Sequence, residues 1–224
     1  LEENGICTAS DFTSVVRNAT FDYDFVKEIP TEMVAVRLEG YLAPDTYEFY
    51  VTDNSKTGAE MAIRRMLDRT AEIWTADRRA KAEKMGYSIH EIMTMASIIE
   101  LEAGGSSQTD MQNVAAVFYN RLSWNDRKLL GSSPTAAYAQ LYGNDRYDTN
   151  KTEGLPPGPL CAPSEAAIEA ALNPTPDFQY YYFVTDASAT FHYSKTLAEH
   201  NSTISRLQSS GNWLGDGDMT RMFQ

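Results

Sequence analysis

Hydrophobic residues recur at helical spacing through the middle of the chain and near its end. Capping-box pairs mark three helix starts, because each side chain of such a pair satisfies an amide of the first turn. The pairs are Thr57 with Glu60, Ser88 with Glu91, and Thr196 with Glu199. Helices are therefore predicted over residues 57–86, 88–102, 109–124, 164–172 and 196–207, with shorter ones over 11–17, 25–29 and 135–141.

Two other stretches alternate between apolar and polar residues, which is typical of strands. The early stretch spans residues 33–51, and its turn is marked by Pro44 and Asp45. The late stretch, over 180–185 and 190–194, predicts a β-hairpin. The fold class is therefore α+β, a helical core with early strands and a late β-hairpin. Residues 125–163 are rich in Gly and Pro and predict a long functional loop, and residues 209–224 predict a frayed tail.

Charge narrows the class of protein. The 224 residues carry 31 Asp+Glu against 19 Lys+Arg, a net charge of −12. Such acidity argues against nucleic acid and anionic lipid as partners, because both require clustered cations. No apolar run is long enough to span a membrane. The chain opens at Leu1 without a signal peptide, and we expect that a targeting segment precedes it. Cys7 and Cys161 are predicted to be unpaired thiols.

One acidic residue stands out within the predicted helix 88–102. Glu100 follows an apolar run that reads M-T-M-A-S-I-I, which predicts a buried helix. Burial favours the protonated carboxyl, the form that a general acid needs. The structural alternative is an ion pair with an arginine such as Arg121. Glu102 lies two positions further on and therefore on a different side of the helix, where it is predicted to be solvated or to support the site.

Other chemistry finds little support in the sequence. His90, His192 and His200 lack metal-ligand spacing, and neither a nucleophile elbow nor a phosphate loop is present. We therefore expect no metal and no organic cofactor.

Several strings, taken in order, resemble the YceG/MltG-like endolytic murein transglycosylases of bacteria. They cover residues 37–207 and read L-E-G-Y-L-A-P-D-T-Y, A-S-I-I-E-L-E-A, V-F-Y-N-R-L, S-P-T-A-A-Y-A, G-L-P-P-G-P-L, A-A-I-E-A-A-L-N-P, Y-Y-F-V and F-H-Y-S-K-T-L-A-E-H. The resemblance implies cleavage of the β-1,4 bond between N-acetylmuramic acid and N-acetylglucosamine, leaving a 1,6-anhydro end and terminating nascent strands. It also implies that Glu100 is the catalytic residue and acts first as acid and then as base.

The same strings suggest residues that bind the substrate. These candidates are Glu102, Asn120, Arg121, Ser133, Thr135, Tyr138 and His192. Arg121 is expected either to hold a substrate carboxylate or to pair with Glu102, and a structural hydrogen bond is an equal alternative for His192. The chain departs from the family at Ser133, where the family usually has Asp, and at residues 146–153, before G-L-P-P-G.

The resemblance also divides the chain. Residues 1–36 resemble the end of a LysM-like subdomain, residues 37–208 a YceG-like catalytic domain, and residues 209–224 form the tail. The implied substrate is peptidoglycan glycan strands, with cell-wall synthases as candidate partners. The implied location is the extracytoplasmic face of the bacterial membrane, reached through an N-terminal anchor outside this chain. Two alternatives remain open, a non-catalytic peptidoglycan-binding module and a hydrolytic muramidase with a second carboxylate.

Overall fold

A computed structural model describes residues 1–124 and 127–213 of the chain. Their helices, in chain order, are α1 (Ala9–Asn18), α2 (Asp24–Lys27), α3 (Ser55–Ile73), α4 (Ala76–Met85), α5 (Ile89–Ala103), α6 (Gln108–Leu122), α7 (Ser133–Tyr142), a 3-10 turn (Asp145–Tyr147), α8 (Glu165–Leu172) and α9 (Leu197–Ser209). Strands β1 (Tyr182–Thr185) and β2 (Phe191–Ser194) pair antiparallel, with Tyr182 opposite Ser194. The α+β class, the helical core and the late β-hairpin are confirmed.

Helix α5 is the centre of the molecule. Eleven of its fifteen residues are buried, because α4, α6, α7 and α8 all pack against it. A helix that is apolar on nearly every side is stable only where other elements cover it in this way. Its predicted capping box is confirmed, since Ser88 and Glu91 exchange both hydrogen bonds. The box formed by Thr196 and Glu199 at the start of α9 is confirmed as well.

The long helix predicted over residues 57–86 is wrong in two respects. The helix begins earlier, at Ser55, because the Asn54 side chain accepts a hydrogen bond from the Thr57 amide at 3.1 Å. It also breaks at Trp74, and Thr75 caps the new helix α4. The break buries the Trp74 ring, whose Nε1–H points to Met93 Sδ at 3.4 Å. Tertiary packing therefore overrides a helical pattern that is locally continuous.

The predicted early strands are also wrong. Residues 33–42 follow turns and bends, with the Met33 amide bonded to the Pro30 carbonyl at 2.8 Å and the Tyr41 amide to the Leu38 carbonyl at 3.0 Å. Residues 43–52 have no regular structure, and Tyr50 and Val51 are 86% and 68% exposed. Alternation produces a strand only where a neighbouring strand accepts its main-chain hydrogen bonds, and no neighbour is formed here within the described residues.

The first 36 residues pack onto the rest of the molecule. Helix α1 contacts α3, and Val15, Phe21 and Phe25 belong to the same hydrophobic core as α5. The predicted domain boundary after residue 36, and the LysM-like nature of the segment before it, stay predictions. Of the predicted frayed tail, residues 214–224 lie outside the described part. Asn212 within that tail accepts a hydrogen bond from Ala187 in the hairpin turn.

Neither cysteine forms a disulfide, which confirms the prediction of unpaired thiols. None of the helices described is both long and apolar enough to cross a membrane.

Candidate active site

Glu100 lies half-buried in the last turn of α5 and contacts Ser164, the residue directly before α8. Ser164, the N-cap of α8, donates to Glu100 Oε2 from its main-chain amide at 3.0 Å and from its hydroxyl at 2.5 Å. The amides at a helix N-terminus favour a negative charge, so this is a suitable place for a carboxylate. Both bonds fall on Oε2, and Oε1 accepts none among the described residues.

Gly104 leaves room for this carboxyl group. A Cβ at position 104 would lie 2.3 Å from the main-chain oxygen of Glu100 and 2.8 Å from Glu100 Oε1. Any side chain at 104 would therefore push the Glu100 side chain or the end of the helix out of place. The glycine that ends α5 thus also shapes the site.

Residues 159–163, directly before the N-cap of α8, form one wall beside Glu100 and are called the wall segment. It is fastened to α5 at Ser97, whose hydroxyl accepts from the Leu160 amide at 3.0 Å, and Cys161 Sγ lies 3.6 Å from the Ser97 carbonyl. Burial raises the pKa of the Cys161 thiol to about 12, and the charges of Glu100 and Glu39 add to the rise. Cys161 is therefore a neutral thiol that fills space next to the carboxyl group.

The ion pair with Arg121, on which the structural alternative for Glu100 depends, is not formed, because Arg121 is engaged elsewhere. Arg121 Nε donates to the Tyr181 carbonyl at 2.6 Å, and its Nη1 donates to the Leu130 carbonyl. Among the described residues, no lysine or arginine forms an ion pair with Glu100. Arg121 instead ties α6 to the hairpin and to the loop before α7.

Glu102 points to a different side of α5, as its spacing predicts. Its Oε1 accepts a 2.7 Å hydrogen bond from the hydroxyl of Ser132, the N-cap of α7. Burial raises the pKa of Glu102, while the Ser132 hydroxyl and the charge of Arg121 partly oppose the rise. Glu102 is thus a half-buried residue that holds the start of α7.

The other candidates divide between the interior and the surface. The Asn120 amide donates to the carbonyls of Phe178 and Tyr180 at 2.6 and 2.9 Å. Thr135 is fully buried and shares a 2.6 Å hydrogen bond with Thr149. His192 Nε2 lies 2.9 Å from Asp186 Oδ2, within the hairpin.

Tyr138 and Ser133 lie on opposite sides of α7. The Tyr138 ring is buried between Tyr142 and Tyr147, with centroids 4.5 and 4.7 Å away. Ser133 is exposed at the first position of α7, directly after the Ser132 that binds Glu102. The structure therefore places Glu100 and Glu102 at one helix end and Ser133 next to Ser132, the residue that binds Glu102, and leaves His192 in the hairpin.

A cavity of about 490 Å³ opens beside Arg121. It is lined by Arg121, Arg127, Tyr182 and His200, among others. The two arginines place positive charge at this opening, although the whole chain has a net charge of −12.

Sequence reasoning missed Ser164 and Ser132 as partners of the two carboxyl groups. Ser164 was predicted only as the start of a helix, and nothing in the local sequence indicates that its hydroxyl also reaches Glu100. Glu39 belongs to the family string L-E-G-Y-L-A-P-D-T-Y, which by itself indicates no role for it.

The site combines a half-buried carboxyl group at a helix end with an anchoring helix N-cap, inside an α+β helical domain. The profile of the YceG-like family matches residues 3–206, and the chain belongs to this family.

Named relatives agree with this assignment. The endolytic murein transglycosylase of Bacillus subtilis (strain 168) is 36% identical over 186 residues, which is 78% of this chain and 49% of the relative. That of Streptococcus pneumoniae (strain ATCC BAA-255 / R6) is 29% identical, over 88% of this chain and 39% of the relative. The chain thus spans about half or less of these relatives.

A solved structure has the same fold. The crystal structure of a yceG-like protein from Listeria monocytogenes superposes with a TM-score of 0.70 at 33% identity. The match covers 88% of this chain and 67% of that one.

Proposed function

We propose that this chain carries the catalytic part of an endolytic peptidoglycan lytic transglycosylase. Its family and the names of its relatives indicate the reaction class. The observation that carries the proposal is Glu100, a carboxyl group at a buried helix end that Ser164 holds by one oxygen. Glycan strands present many hydroxyl groups and few charges, which suits an acidic protein.

The proposed reaction needs only one carboxyl group. Protonated Glu100 gives its proton to the glycosidic oxygen between N-acetylmuramic acid and N-acetylglucosamine, and the bond from C1 to that oxygen breaks. The positive charge that develops at C1 is shared with the ring oxygen and steadied by the substrate's own acetamido group. Glu100, now ionised, takes the proton from the C6 hydroxyl as O6 bonds to C1. The products are a 1,6-anhydro end and a free 4-hydroxyl, Glu100 regains its proton, and no water is consumed.

Ser164 positions Glu100 for this cycle. It holds Oε2 by two hydrogen bonds, so Oε1 is the oxygen that we assign to the proton transfers. The two bonds also stabilise the carboxylate that exists midway through the reaction. Positioned proton transfer of this kind contributes roughly 10²- to 10⁴-fold to rate.

The candidate substrate-binding residues enter the proposal in different ways. Arg121 lines the 490 Å³ cavity together with Arg127, and we assign these two to a carboxylate of the lactyl group or stem peptide. Ser133 is exposed and is assigned to the groove surface. The remaining candidates act through the framework that they hold. They are Glu102, Asn120, Thr135, Tyr138 and His192.

The cellular setting belongs to the same proposal. We assign the protein to the extracytoplasmic face of the bacterial membrane, acting on nascent glycan strands and near cell-wall synthases. A preceding anchor would hold it there.

Glu100→Gln tests the proposal. Gln keeps the shape of the side chain but cannot donate a carboxyl proton, so release of anhydro-muramyl ends from peptidoglycan should fall at least about 10²-fold. Mass spectrometry of the digest measures these ends over time, and thermal unfolding checks that the variant folds. Glu83→Gln, an exposed glutamate on α4, is the matched control and should retain full activity.

The products also separate the alternatives. Reducing muramyl ends would mean a hydrolytic muramidase. Sedimentation with peptidoglycan but no products from the wild-type protein would mean a binding module. Undiminished release of anhydro ends by Glu100→Gln would overturn the role given to Glu100.

A further inference from the structure

The turn at residues 38–40 lies directly against the wall segment that borders Glu100. Gly40 has φ of +86°, and a Cβ there would lie 2.4 Å from Pro159 Cβ and 3.2 Å from the Cys161 carbonyl oxygen. Only glycine allows both this backbone conformation and this close approach. The turn is therefore held on the face of the wall segment, and Glu39, the residue before Gly40, is placed beside Cys161.

Glu39 and Glu100 both border the wall segment, Glu39 as the neighbour of Gly40 and Glu100 through its bonds to Ser164. The charges of both carboxyl groups act on the Cys161 thiol, and that of Glu39 also acts on the phenols of Tyr138 and Tyr142. The wall segment reaches α5 at Ser97, one turn before Glu100. The residues that carry the two carboxyl groups thus lie along one segment, which runs from Pro159 to Ser164.

Glu39 is a half-buried carboxyl group with few stabilising contacts. Among the described residues, no lysine or arginine pairs with it, and the nearby Gly40 amide only partly offsets its burial. Burial raises the pKa of Glu39 as a result. A partly desolvated carboxyl group without a cation costs folding free energy, and such costs concentrate at functional sites.

The surroundings of Glu39 suit a sugar. Glu39 borders a cavity of about 250 Å³ together with Leu42 and Ala162, the residue after Cys161. Apolar side chains form most of the remaining lining, among them Phe12 and Val36. Sugar rings pack on apolar and aromatic surfaces, while their hydroxyl and acetamido N–H groups donate to carboxylates.

We propose that Glu39 is a second substrate-binding carboxyl group of this site. It accepts a hydrogen bond from a hydroxyl or acetamido N–H of a peptidoglycan sugar and so fixes that sugar relative to Glu100. The inference rests on the proposed transglycosylase function and deepens it. Glu39 exchanges no proton and forms no bond to the sugar, so the one-carboxyl reaction is unchanged.

The inference is tested by measuring how fast anhydro ends form from uncross-linked glycan strands. The variants compared with the wild type are Glu39→Gln, Glu39→Asp and the control Glu83→Gln. Loss of a charge-assisted hydrogen bond should lower kcat/KM about 10- to 100-fold for Glu39→Gln, mainly through KM. Glu39→Asp keeps the charge and should recover part of the loss. The Tm of Glu39→Gln should equal or exceed that of the wild type, because a desolvated charge has been removed.

A kcat/KM within twofold of the wild type for Glu39→Gln would overturn the inference. So would a lower Tm accompanied by a loss of kcat alone, since that is the result of a structural role. The Glu100→Gln variant distinguishes a failure of this inference from a failure of the proposed function. If the wild type forms anhydro ends and Glu100→Gln does not, the function stands whatever Glu39 does.

Discussion

Two glutamates that stand two positions apart on α5 meet different surroundings. Glu100 receives two hydrogen bonds from Ser164, whereas Glu102 receives one from Ser132 and remains apart from Arg121, which donates to main-chain carbonyls. Hydrogen-bond donors stabilise a carboxylate, whereas the loss of hydrating water destabilises it. The two glutamates therefore differ in their partners, and the proposed roles, catalysis for Glu100 and support for Glu102, follow this difference.

Glu102 should make the stability of the protein depend on pH. Burial raises its pKa, so the folded protein holds this proton more tightly than the unfolded chain. The resulting stabilisation is complete below the unfolded carboxyl pKa of about 4.3 and is lost as the pH rises through the raised pKa. Glu102→Gln stays neutral and keeps an oxygen for Ser132. Its free energy of unfolding relative to the wild type should therefore increase as the pH rises above about 4.

Urea unfolding at pH values from 4 to 8 measures this difference, with Glu83→Gln as a control that should show none. A Glu102→Gln variant less stable than the wild type at pH 7 would contradict it, and would mean that attraction to Arg121 outweighs desolvation.

At the residue scale, a local sequence pattern singles out Glu100 but none of the residues that approach it from elsewhere in the chain. Glu100 interrupts an apolar helix, which is a local pattern. Ser164 and Glu39 are 64 and 61 positions from Glu100 in the chain, and no local sequence pattern indicates that they lie near it in the fold. Contacts of this kind depend on tertiary packing and are not visible in hydrophobic periodicity.

Helix ends are the elements that build this site. The C-terminal end of α5 carries both glutamates, and the N-caps of α7 and α8 supply the serine hydroxyls that bind them. Local capping chemistry predicted the starts of α5 and α9 correctly, because both partners of a capping box are close in sequence. The early strands and the unbroken helix over 57–86 were wrong because pairing and the burial of Trp74 are decided at long range.

Ser164 should couple the stability of α8 to turnover. Its hydroxyl both caps α8, at 3.2 Å from the Ala167 amide, and binds Glu100. Ser164→Ala should cost about 1 kcal/mol of stability and lower turnover about 10-fold, as one charge-assisted hydrogen bond is lost. Ser164→Thr keeps a hydroxyl and should retain most of both.

Ser107→Ala separates the two effects, because Ser107 caps α6 with the same geometry and does not touch Glu100. It should lose similar stability in chemical unfolding and keep the wild-type rate of anhydro-end formation at 25 °C. Equal rates for the two alanine variants would show that the Ser164 hydroxyl only caps its helix.

On the scale of the whole molecule, the N-terminal segment and the site share one core. Phe25 is completely buried and stacks on Tyr41 at a ring-centroid distance of 5.6 Å. The Tyr41 hydroxyl lies 2.8 Å from His90 Nδ1, and His90 Nε2 donates to the Pro157 carbonyl at 2.7 Å. This chain of contacts leads from α2 through α5 to the loop that continues into the wall segment.

We therefore expect Phe25→Ala to destabilise the site along with the N-terminal segment. A buried Phe→Ala change costs about 3–5 kcal/mol, and within one cooperative core that loss lowers protection everywhere. Hydrogen exchange measured by mass spectrometry should show faster exchange by global opening in α5 as well as in α1, with a single unfolding transition. If residues 1–36 instead form a separate subdomain, α5 protection will be unchanged and two transitions will appear. Because the aromatic contacts pass directly from Phe25 through Tyr41 to His90 on α5, we expect the single transition.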